Sequence, residues 1–581
     1  DKLNRLTKKI ININGEKHVQ NYTYTQDSLL YATDFSSGAS NLRVYDSLNR
    51  LTNLNTLFPT SGLNPQRKIL NQTFEYENVS GQRTTNLISS HYVGFNNSAD
   101  QPLFTHSYSY DANGNISSLS RLADGQTSAL SYQYDGLDQL IRVNDQEADI
   151  TVLYSYDAGG NITSAKTYPY SLGELSGSPL SEKSYSYASS GWKDLLINFN
   201  GDDILYDEIG NPLQYRDGMA FAWQYGRQLA SVSQGSNAYT YSYDASGVRL
   251  AKTINGSSYN YIYDNGVLLY ADTPLGGMTF IYDNDSVIGY KYNSSYYFYL
   301  KNLQGDILGA VDASGNLLYQ YRYDAWGVPT VLDAQGNPIS PDSAHIANAN
   351  PLRYRGYFFD PETGFYYLLS RYYDPETGRF INADKDTVLN MDYENIVQYN
   401  LFAYCFNNPI NMVDDGGYWP TWLKKAVAVV AVAAVVITAT VVTVSTFGAG
   451  SVAGVAMISA TANMAIKTAE VATLQVKKGL NEGKNASQIA KDCAEAIYDN
   501  GRQIIGLTPA TKAAGIGAQH ILNKKVAEIF DEKATIAGTL RGTAKGALAY
   551  SVVIYNGIHG IISAFSSDPV KRAEQRGYIL K

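Results

Sequence analysis

Two copies of the motif Asp-Pro-Glu-Thr-Gly, at residues 360–364 and 374–378, place pairs of carboxylates close together in the sequence. Carboxylates at this spacing are candidate calcium ligands. A five-residue loop, however, supplies too few oxygen ligands for calcium, whereas Asp-Pro with Gly at the fifth position is typical of a turn. The two motifs therefore predict turns, and the sequence predicts no metal site and no other cofactor.

The chain beyond residue 418 contains few side chains that can act as a base or a nucleophile. Its histidines are His520, one turn before Lys524, and His559, in an apolar stretch where a buried structural histidine is expected. Cys493 lies on the apolar stripe of a predicted helix, which favours a packing role. No metal-ligand spacing, phosphate-binding loop or Ser-His-Asp arrangement is visible. The sequence identifies no catalytic site in this segment.

A Tyr-Asp dipeptide recurs through the first 420 residues, at intervals that cluster near twenty residues or a multiple of that number. The segment from Tyr108 to Ile116 resembles those from Tyr154 to Ile162 and from Tyr241 to Leu250. Two tyrosines at i and i+2 share one face of a strand. The Asp then accepts hydrogen bonds in a turn, and Gly takes the positive φ that follows. Each unit therefore predicts a β-hairpin that must stack on its neighbours.

Composition divides the chain near residue 420. Of the 581 residues, 49 are tyrosines, which predicts a repeated, half-exposed β-surface, and almost all of them precede residue 420. Residues 424–581 hold 18 basic and 10 acidic side chains, whereas the remainder is strongly acidic. Two cysteines, Cys405 and Cys493, exclude a disulfide framework. The chain starts at Asp1 without Met or a signal-like stretch, so we expect it to be part of a longer protein.

The strongest motif of the chain runs from Asn350-Pro-Leu-Arg353-Tyr-Arg355-Gly356 to Ser370-Arg371-Tyr-Tyr-Asp374-Pro375-Glu-Thr-Gly378-Arg379-Phe380-Ile-Asn-Ala-Asp384. With the Tyr-Asp repeats, it resembles the YD-repeat (RHS) family and its repeat-associated core, over about residues 1–420. That family includes bacterial polymorphic toxins, the C subunits of insecticidal toxin complexes and the animal teneurins. The resemblance implies a spiralling, mainly β shell, closed by the core, that holds a variable C-terminal segment inside.

In RHS toxins the core is commonly an aspartyl-type protease that cuts its own chain. Here Pro409-Ile-Asn-Met-Val-Asp414-Asp415-Gly416-Gly417-Tyr418 occupies the cleavage region, with Asp415 in place of the family's Pro and Tyr418 in place of its Leu. The resemblance makes Asp384 and Asp414 the catalytic carboxylates and Arg371 or Arg379 a nearby cation. Two such carboxylates would share a proton. The alternative is that all four residues have structural roles.

Residues 426–466 contain no Asp, Glu, Lys or Arg. A run of this length is enough for two membrane spans joined by a glycine turn. The alternative is apolar packing inside the shell or a linker. The pattern beyond this run predicts helices. The basic charge fits nucleic acid or an anionic membrane, and the lack of the aromatic interleaving typical of single-strand binding favours the membrane.

These observations predict a YD-repeat β-shell at 1–340, a repeat-associated core at 341–418, a hydrophobic, possible membrane-inserting segment at 419–467, and an α-helical effector at 468–581. The leading hypothesis is the C-terminal part of a secreted or cell-surface polymorphic toxin. Its expected partners are its own C-terminal segment, an immunity protein and the membrane of a target cell. The alternative is an adhesion or carbohydrate-binding protein of the cell wall that recognises surface glycans. A nuclease effector is a third, less favoured hypothesis.

Overall fold

A computed structural model describes residues 1–384 and 400–416, with gaps at 2, 4, 61–66, 80–82, 97–101, 124, 285 and 415. All of the described residues belong to one compact unit of the chain. Within these ranges, no helix is long and apolar enough to cross a membrane.

The described residues form three antiparallel sheets in which each strand pairs with the next one along the chain. The first sheet has 16 strands, the second 14 and the third four. The strands of the first sheet are β1 Lys8–Ile13, β2 Glu16–Tyr24, β3 Leu30–Phe35, β4 Ser40–Tyr45, β5 Leu51–Leu57, β6 Ile69–Val79, β7 Arg83–Phe95, β8 Pro102–Tyr110, β9 Ile116–Ala123, β10 Gln126–Tyr134, β11 Leu140–Asp145, β12 Ile150–Tyr156, β13 Ile162–Pro169, β14 Ser181–Tyr187, β15 Leu196–Phe199 and β16 Asp202–Asp203.

The second sheet begins directly after the first, and the third is the core sheet, formed by the duplicated motifs. The strands of the second sheet are β17 Leu205–Tyr206, β18 Pro212–Gln214, β19 Met219–Gln224, β20 Gln228–Gln234, β21 Asn237–Tyr243, β22 Arg249–Ile254, β23 Ser257–Asp264, β24 Val267–Thr273, β25 Gly276–Asp283, β26 Ser286–Tyr292, β27 Ser295–Lys301, β28 Ile307–Asp312, β29 Leu317–Tyr323 and β30 Pro329–Asp333. Those of the core sheet are β31 Phe358–Asp360, β32 Phe365–Tyr367, β33 Tyr372–Asp374 and β34 Arg379–Phe380. The helical elements are α1 Ile346–Ala349 and short 3₁₀ turns at Arg216–Gly218, Tyr354–Gly356 and Cys405–Asn407.

The Tyr-Asp units form the hairpins that their sequence predicts. In the turn between β8 and β9, Asp111 Oδ1 accepts the backbone N–H groups of Asn113 at 2.9 Å and Asn115 at 2.8 Å. Gly114 then adopts φ +80°, which a residue without Cβ enters at little cost. The turns that follow Asp135, Asp157 and other repeat aspartates have the same hydrogen bonds. The predicted, mainly β fold of stacked YD-repeat hairpins is confirmed.

In several units the second tyrosine bonds one hairpin to the preceding one. Tyr134 Oη donates to the carbonyl of Ile116 at 2.7 Å, and Tyr156 Oη donates to that of Leu140 at 2.6 Å. Ile116 and Leu140 are the residues that open the return strand of the hairpin before. The hydroxyl therefore satisfies a strand-end carbonyl that the turn itself leaves unpaired. This bond is the physical reason for a tyrosine rather than a phenylalanine before the aspartate.

The prediction of a half-exposed tyrosine surface is wrong for several first tyrosines of the unit, whereas Tyr154 is half-buried. Tyr108, Tyr132 and Tyr241 are each at most 8% exposed. They lie in the apolar interior, and Tyr241 belongs to a core cluster that also contains Phe358 and other residues of the core sheet. The repeat pattern identifies the face shared by these rings, but it does not reveal that other elements cover that face.

Candidate active site

The core sheet and the segment after it position the four predicted site residues. Arg371 lies one residue before β33, Arg379 opens β34, and Asp384 follows β34 by four residues. The duplicated motifs form the tight turns between β31 and β32 and between β33 and β34, as predicted. These turns bring Arg371 back beside the segment that carries Asp384. Asp414 reaches the same place from the described segment 400–416.

A single guanidinium bridges the two predicted carboxylates. Arg371 Nη2 lies 3.0 Å from Asp384 Oδ2 and 3.7 Å from Asp414 Oδ2. The three side chains are each at most 6% exposed. The two carboxylate oxygens are thus no farther apart than the sum of these two distances. Two carboxylates held this close on one guanidinium are an arrangement in which like charges favour a shared proton.

Arg371 is held in place by two further contacts. Its Nη1 donates to the backbone carbonyl of Leu401 at 3.0 Å. Its guanidinium lies 3.5 Å from the centre of the Phe380 ring, which supplies a flat apolar surface for a planar cation. The guanidinium is therefore oriented by groups other than the carboxylates, so it can hold both of them at fixed positions.

Asp414 is fixed through its backbone and its neighbours. Its N–H donates to the hydroxyl oxygen of Tyr357 at 2.9 Å, and the N–H of Gly416 donates to Asp414 Oδ1 at 3.3 Å. Ser370, next to Arg371, donates its hydroxyl to the carbonyl of Gly416 at 2.7 Å. Burial, followed by the charges of Cys405 and Asp414, raises the pKa of Tyr357 well above its ordinary value. Tyr357 is thus a neutral hydroxyl at physiological pH.

Backbone hydrogen bonds hold Asp384 and the residue before it. Its N–H donates to the carbonyl of Leu401 at 3.0 Å, so Leu401 holds both Asp384 and Arg371. Directly before it, the carbonyl of Ala383 accepts from Arg227 Nη1 at 2.8 Å, and the N–H of Ala383 donates to the carbonyl of Gly210 at 3.3 Å. The candidate aspartate is therefore attached to turns of the second sheet.

Arg379, the other candidate cation, contacts the first sheet. Its Nη1 contacts Asn161 Oδ1 at 3.0 Å, and its Nη2 contacts the carbonyl of Asp194 at 2.8 Å. Its guanidinium also lies 5.0 Å from the centre of the Tyr187 ring. These contacts join the core sheet to the hairpins of β13–β15. Of the two candidate cations, the structure brings only Arg371 to Asp384 and Asp414.

The duplicated Asp-Pro-Glu-Thr-Gly turns receive cations from the second sheet. Asp360, which is fully buried, accepts from Arg249 Nη2 at 3.1 Å and from Lys252 Nζ at 2.8 Å. Burial opposes ionisation of Asp360, but the charges of Arg249 and Lys252 outweigh it and lower the pKa of that carboxyl. In the second copy, Asp374 accepts from Arg216 Nε at 2.8 Å. Among the described residues, no group of three or more His, Cys, Asp or Glu is arranged to hold a metal ion.

Asparagines of the segment 400–416 dock on the Tyr-Asp turns, a role that the sequence reasoning missed. Asn407 Nδ2 donates to Gln139 Oε1 at 2.8 Å, and Asn400 Nδ2 donates to Asn161 Oδ1 at 2.7 Å. Gln139 and Asn161 each lie four residues after the aspartate of a unit. The sequence does contain a signal for this docking. A polar side chain recurs four residues after the repeat aspartate, directly before the buried residue that opens the return strand.

Several predicted residues lie outside the described part of the chain. They are the cleavage residue Tyr418, the apolar run 426–466, and Cys493, His520 and His559.

Stacked Tyr-Asp hairpins docked against a small core sheet define a class of YD-repeat proteins, and comparison with known families agrees. The family model of the Teneurin YD-shell matches residues 96–410. Because this match covers more than half of the chain, the protein belongs to that family.

Similar proteins include bacterial toxins and an animal teneurin. The tRNA3(Ser)-specific nuclease WapA of Bacillus spizizenii is 36% identical over 245 residues, which cover 41% of this chain and 10% of that protein. The toxin subunit YenC1 of Yersinia entomophaga is 24% identical over 55% of this chain and 37% of its own length. Human teneurin-4 is 24% identical over 54% of this chain and 9% of its own length. The chain thus spans about a tenth of the WapA relative.

A solved structure has the same fold. A Tc holotoxin pore from Photorhabdus luminescens aligns with a TM-score of 0.50 and 17% identity, over 70% of this chain and 21% of that chain. The chain is therefore a YD-shell protein of the group that includes RHS toxins.

Proposed function

We propose that this chain is the C-terminal part of an RHS-family polymorphic toxin whose core cuts the chain near Tyr418. The observation that carries the proposal is the buried cluster of Arg371, Asp384 and Asp414, with both carboxylates on one guanidinium nitrogen. Two buried carboxylates on one cation can pass a proton between them and to a peptide, which supports peptide hydrolysis as the chemistry of this cluster.

The proposed reaction is hydrolysis of a peptide bond by the two carboxylates. The ionised aspartate takes a proton from water as the water oxygen bonds to the carbonyl carbon, while the protonated aspartate gives its proton to the carbonyl oxygen. The first aspartate then returns its proton to the nitrogen as the C–N bond breaks, and the second takes a proton back from a hydroxyl. Water is the only reactant consumed. Arg371 fixes the positions of both carboxylates through the cycle.

The organisation that we propose is a container and its contents. Residues 1–340 and 341–418 form the shell and the core, residues 419–467 the apolar segment, and residues 468–581 the effector. The acidic balance of residues 1–423 supports retention of the basic C-terminal part through opposite charge. An immunity protein in the producing cell is part of this proposal, as is secretion or display at the cell surface.

For the effector we propose action on a membrane. The uncharged run 426–466 and the basic balance of residues 424–581 support this activity. A nuclease effector is the second candidate, because the name of the WapA relative describes a tRNA nuclease.

Self-cleavage is tested on the complete chain. We expect freshly synthesised protein to release residues 419–581, and we expect Asp384→Asn and Asp414→Asn each to leave it intact. Asp342→Asn, at an exposed position, is the matched control and should be cut normally. An unmutated chain that stays intact would overturn the cleavage proposal.

The effector is tested by toxicity. Expression of residues 419–581 should arrest growth, and the product should release dye from vesicles that contain anionic lipid. Breakdown of tRNA without dye release would select the nuclease instead. Glycan binding by residues 1–418, with no toxicity from the remainder, would support the alternative of a surface adhesion protein.

A further inference from the structure

Asn382 is a fully buried polar residue for which the described structure provides no hydrogen-bond partner. Its exposed fraction is 0%, and neither Nδ2 nor Oδ1 has a partner within hydrogen-bond distance. Buried side-chain amides almost always make hydrogen bonds, since an unpaired one loses its bonds to water without replacement. Asn382 leaves both ends of its amide unpaired, so it is a candidate for binding a group that carries a donor and an acceptor.

The backbone around Asn382 is firmly held, so the unpaired amide is not the consequence of a loose loop. The N–H of Ile381 donates to the carbonyl of Tyr372 at 3.0 Å, and the N–H and carbonyl of Ala383 contact Gly210 and Arg227. The position of the Asn382 Cα is therefore well defined.

The register of the core sheet places Asn382 beside the candidate site. Tyr373 pairs with Phe380 across β33 and β34, and the bond from Ile381 to Tyr372 continues that ladder by one pair. The next pair in the same register is Arg371 with Asn382. Directly opposite residues of an antiparallel pair share one face of the sheet. Arg371 indeed covers the ring of Phe380, which belongs to that face.

We propose that Asn382 is the positioning residue that binds the peptide group cut by Asp384 and Asp414. Its Nδ2 donates to the carbonyl oxygen of that peptide group, and its Oδ1 accepts the peptide N–H. A side-chain amide matches both polar groups of a peptide. The bond from Nδ2 strengthens as the carbonyl oxygen gains negative charge when water adds. This inference rests on the proposed self-cleavage and goes beyond it, since it names a group that orients the peptide besides the two carboxylates.

The test compares stability and cleavage in the complete chain carrying Asn382→Leu. Leucine has nearly the same shape and removes two unpaired polar atoms, so a merely structural Asn382 predicts a higher unfolding temperature and unchanged cleavage. A positioning role predicts a higher unfolding temperature together with release of residues 419–581 that is slowed at least tenfold. Because Asn382 does not titrate, the slower rate should have the same pH profile as that of the unmutated chain.

Asn382→Ser is the second variant and retains one donor. Cleavage faster in Asn382→Ser than in Asn382→Leu supports the proposal when both variants are folded. If the leucine variant folds poorly, a folded Asn382→Ser that is cut as fast as the unmutated chain would contradict it. Asn348→Leu, which removes the partly exposed asparagine that donates to Ser340, is a control that should leave the cleavage rate unchanged.

These experiments distinguish the role of Asn382 from self-cleavage itself. If Asp384→Asn abolishes cleavage and Asn382→Leu cuts at the normal rate, the role of Asn382 is wrong and self-cleavage stands. If the unmutated chain is never cut, both proposals are wrong.

Discussion

His91 and His106 are direct partners across strands β7 and β8, and both rings are buried. The exposed fraction is 1% for His91 and 3% for His106. His91 stacks on the ring of Phe74, and His106 lies against Phe104. The residue opposite His106 on its other side is Arg121. Protonation of both histidines would therefore place three positive charges in one row across three strands.

This pairing predicts that stability decreases in mild acid. Burial lowers the pKa of His91 to about 4, and burial with the charges of Arg121 and His91 lowers that of His106 to about 3. In the unfolded chain both accept protons near pH 6.5. Between these limits the unfolded state binds more protons, so the free energy of unfolding decreases as pH falls, by about 1.4 kcal/mol per histidine for each pH unit.

The measurement is urea unfolding at several pH values between 7.5 and 4.5. The double variant His91→Gln with His106→Gln should show a shallower decrease over this range. His345→Asn is the control, because His345 is half-buried and its ring accepts the N–H of Ala347 at the start of α1, a bond that asparagine can keep. A double variant as acid-sensitive as the unmutated chain would contradict the prediction.

Removal of the guanidinium at the candidate site should affect both fold and reaction. Arg371→Met removes the guanidinium that bridges the buried carboxylates of Asp384 and Asp414, which we expect to cost about 3 kcal/mol of unfolding free energy and to slow self-cleavage strongly. Arg371→Lys keeps the charge but loses the planar contact with Phe380, so intermediate cleavage is expected.

Arg322→Met is the matched control for Arg371. Its ion pair with Glu147 is 44% exposed on the arginine side, and exposed pairs contribute little. Stability and cleavage are compared by urea unfolding and by the amount of intact chain over time. Equal effects of Arg371→Met and Arg322→Met would show that the buried position of Arg371 has no special importance.

The acidic turn of the core sheet is expected to be a main anchor of that sheet. Asp360→Asn leaves Arg249 and Lys252 buried without full compensation, at a cost of roughly 3 kcal/mol or more. Glu182→Gln, in the half-exposed pair with Lys166, should cost less than about 1 kcal/mol.

Calcium provides the second half of this test. If the turn is held by Arg249 and Lys252, millimolar calcium should leave the unfolding midpoint of the unmutated chain unchanged. A midpoint raised by calcium and lowered by a chelator would restore the hypothesis of a calcium loop.

The sequence predicts those features that depend on residues close together in the chain. Asp111 and Gly114 lie within one turn, so the residue types alone predict their conformations. The choice between Arg371 and Arg379 could not be made, because it depends on Asn161 and Asp194, which lie some two hundred residues away in the chain. The unpaired amide of Asn382 is equally invisible in the sequence, since it depends on the packing of the whole core.

The hydroxyl of the tyrosine before the repeat aspartate should contribute to stability beyond the packing of its ring. Tyr156→Phe keeps the ring and removes only the hydroxyl that donates to the carbonyl of Leu140, so we expect a loss of about 1 kcal/mol. Tyr134→Phe should cost more, because the Tyr134 hydroxyl donates to the carbonyl of Ile116 and also accepts from Asn411 Nδ2 at 2.9 Å. The two losses should add, provided that the hairpins act independently. Tyr225→Phe is the control, because Tyr225 is 90% exposed.

Urea unfolding of the three single variants and of the double variant measures these terms. Unchanged stability in Tyr156→Phe would mean that water satisfies the carbonyl of Leu140 as well as the tyrosine does. In that case the recurrence of tyrosine would need another explanation. A loss in the double variant much larger than the sum would contradict additivity and show that the two hydroxyl bonds are coupled through the strands between them.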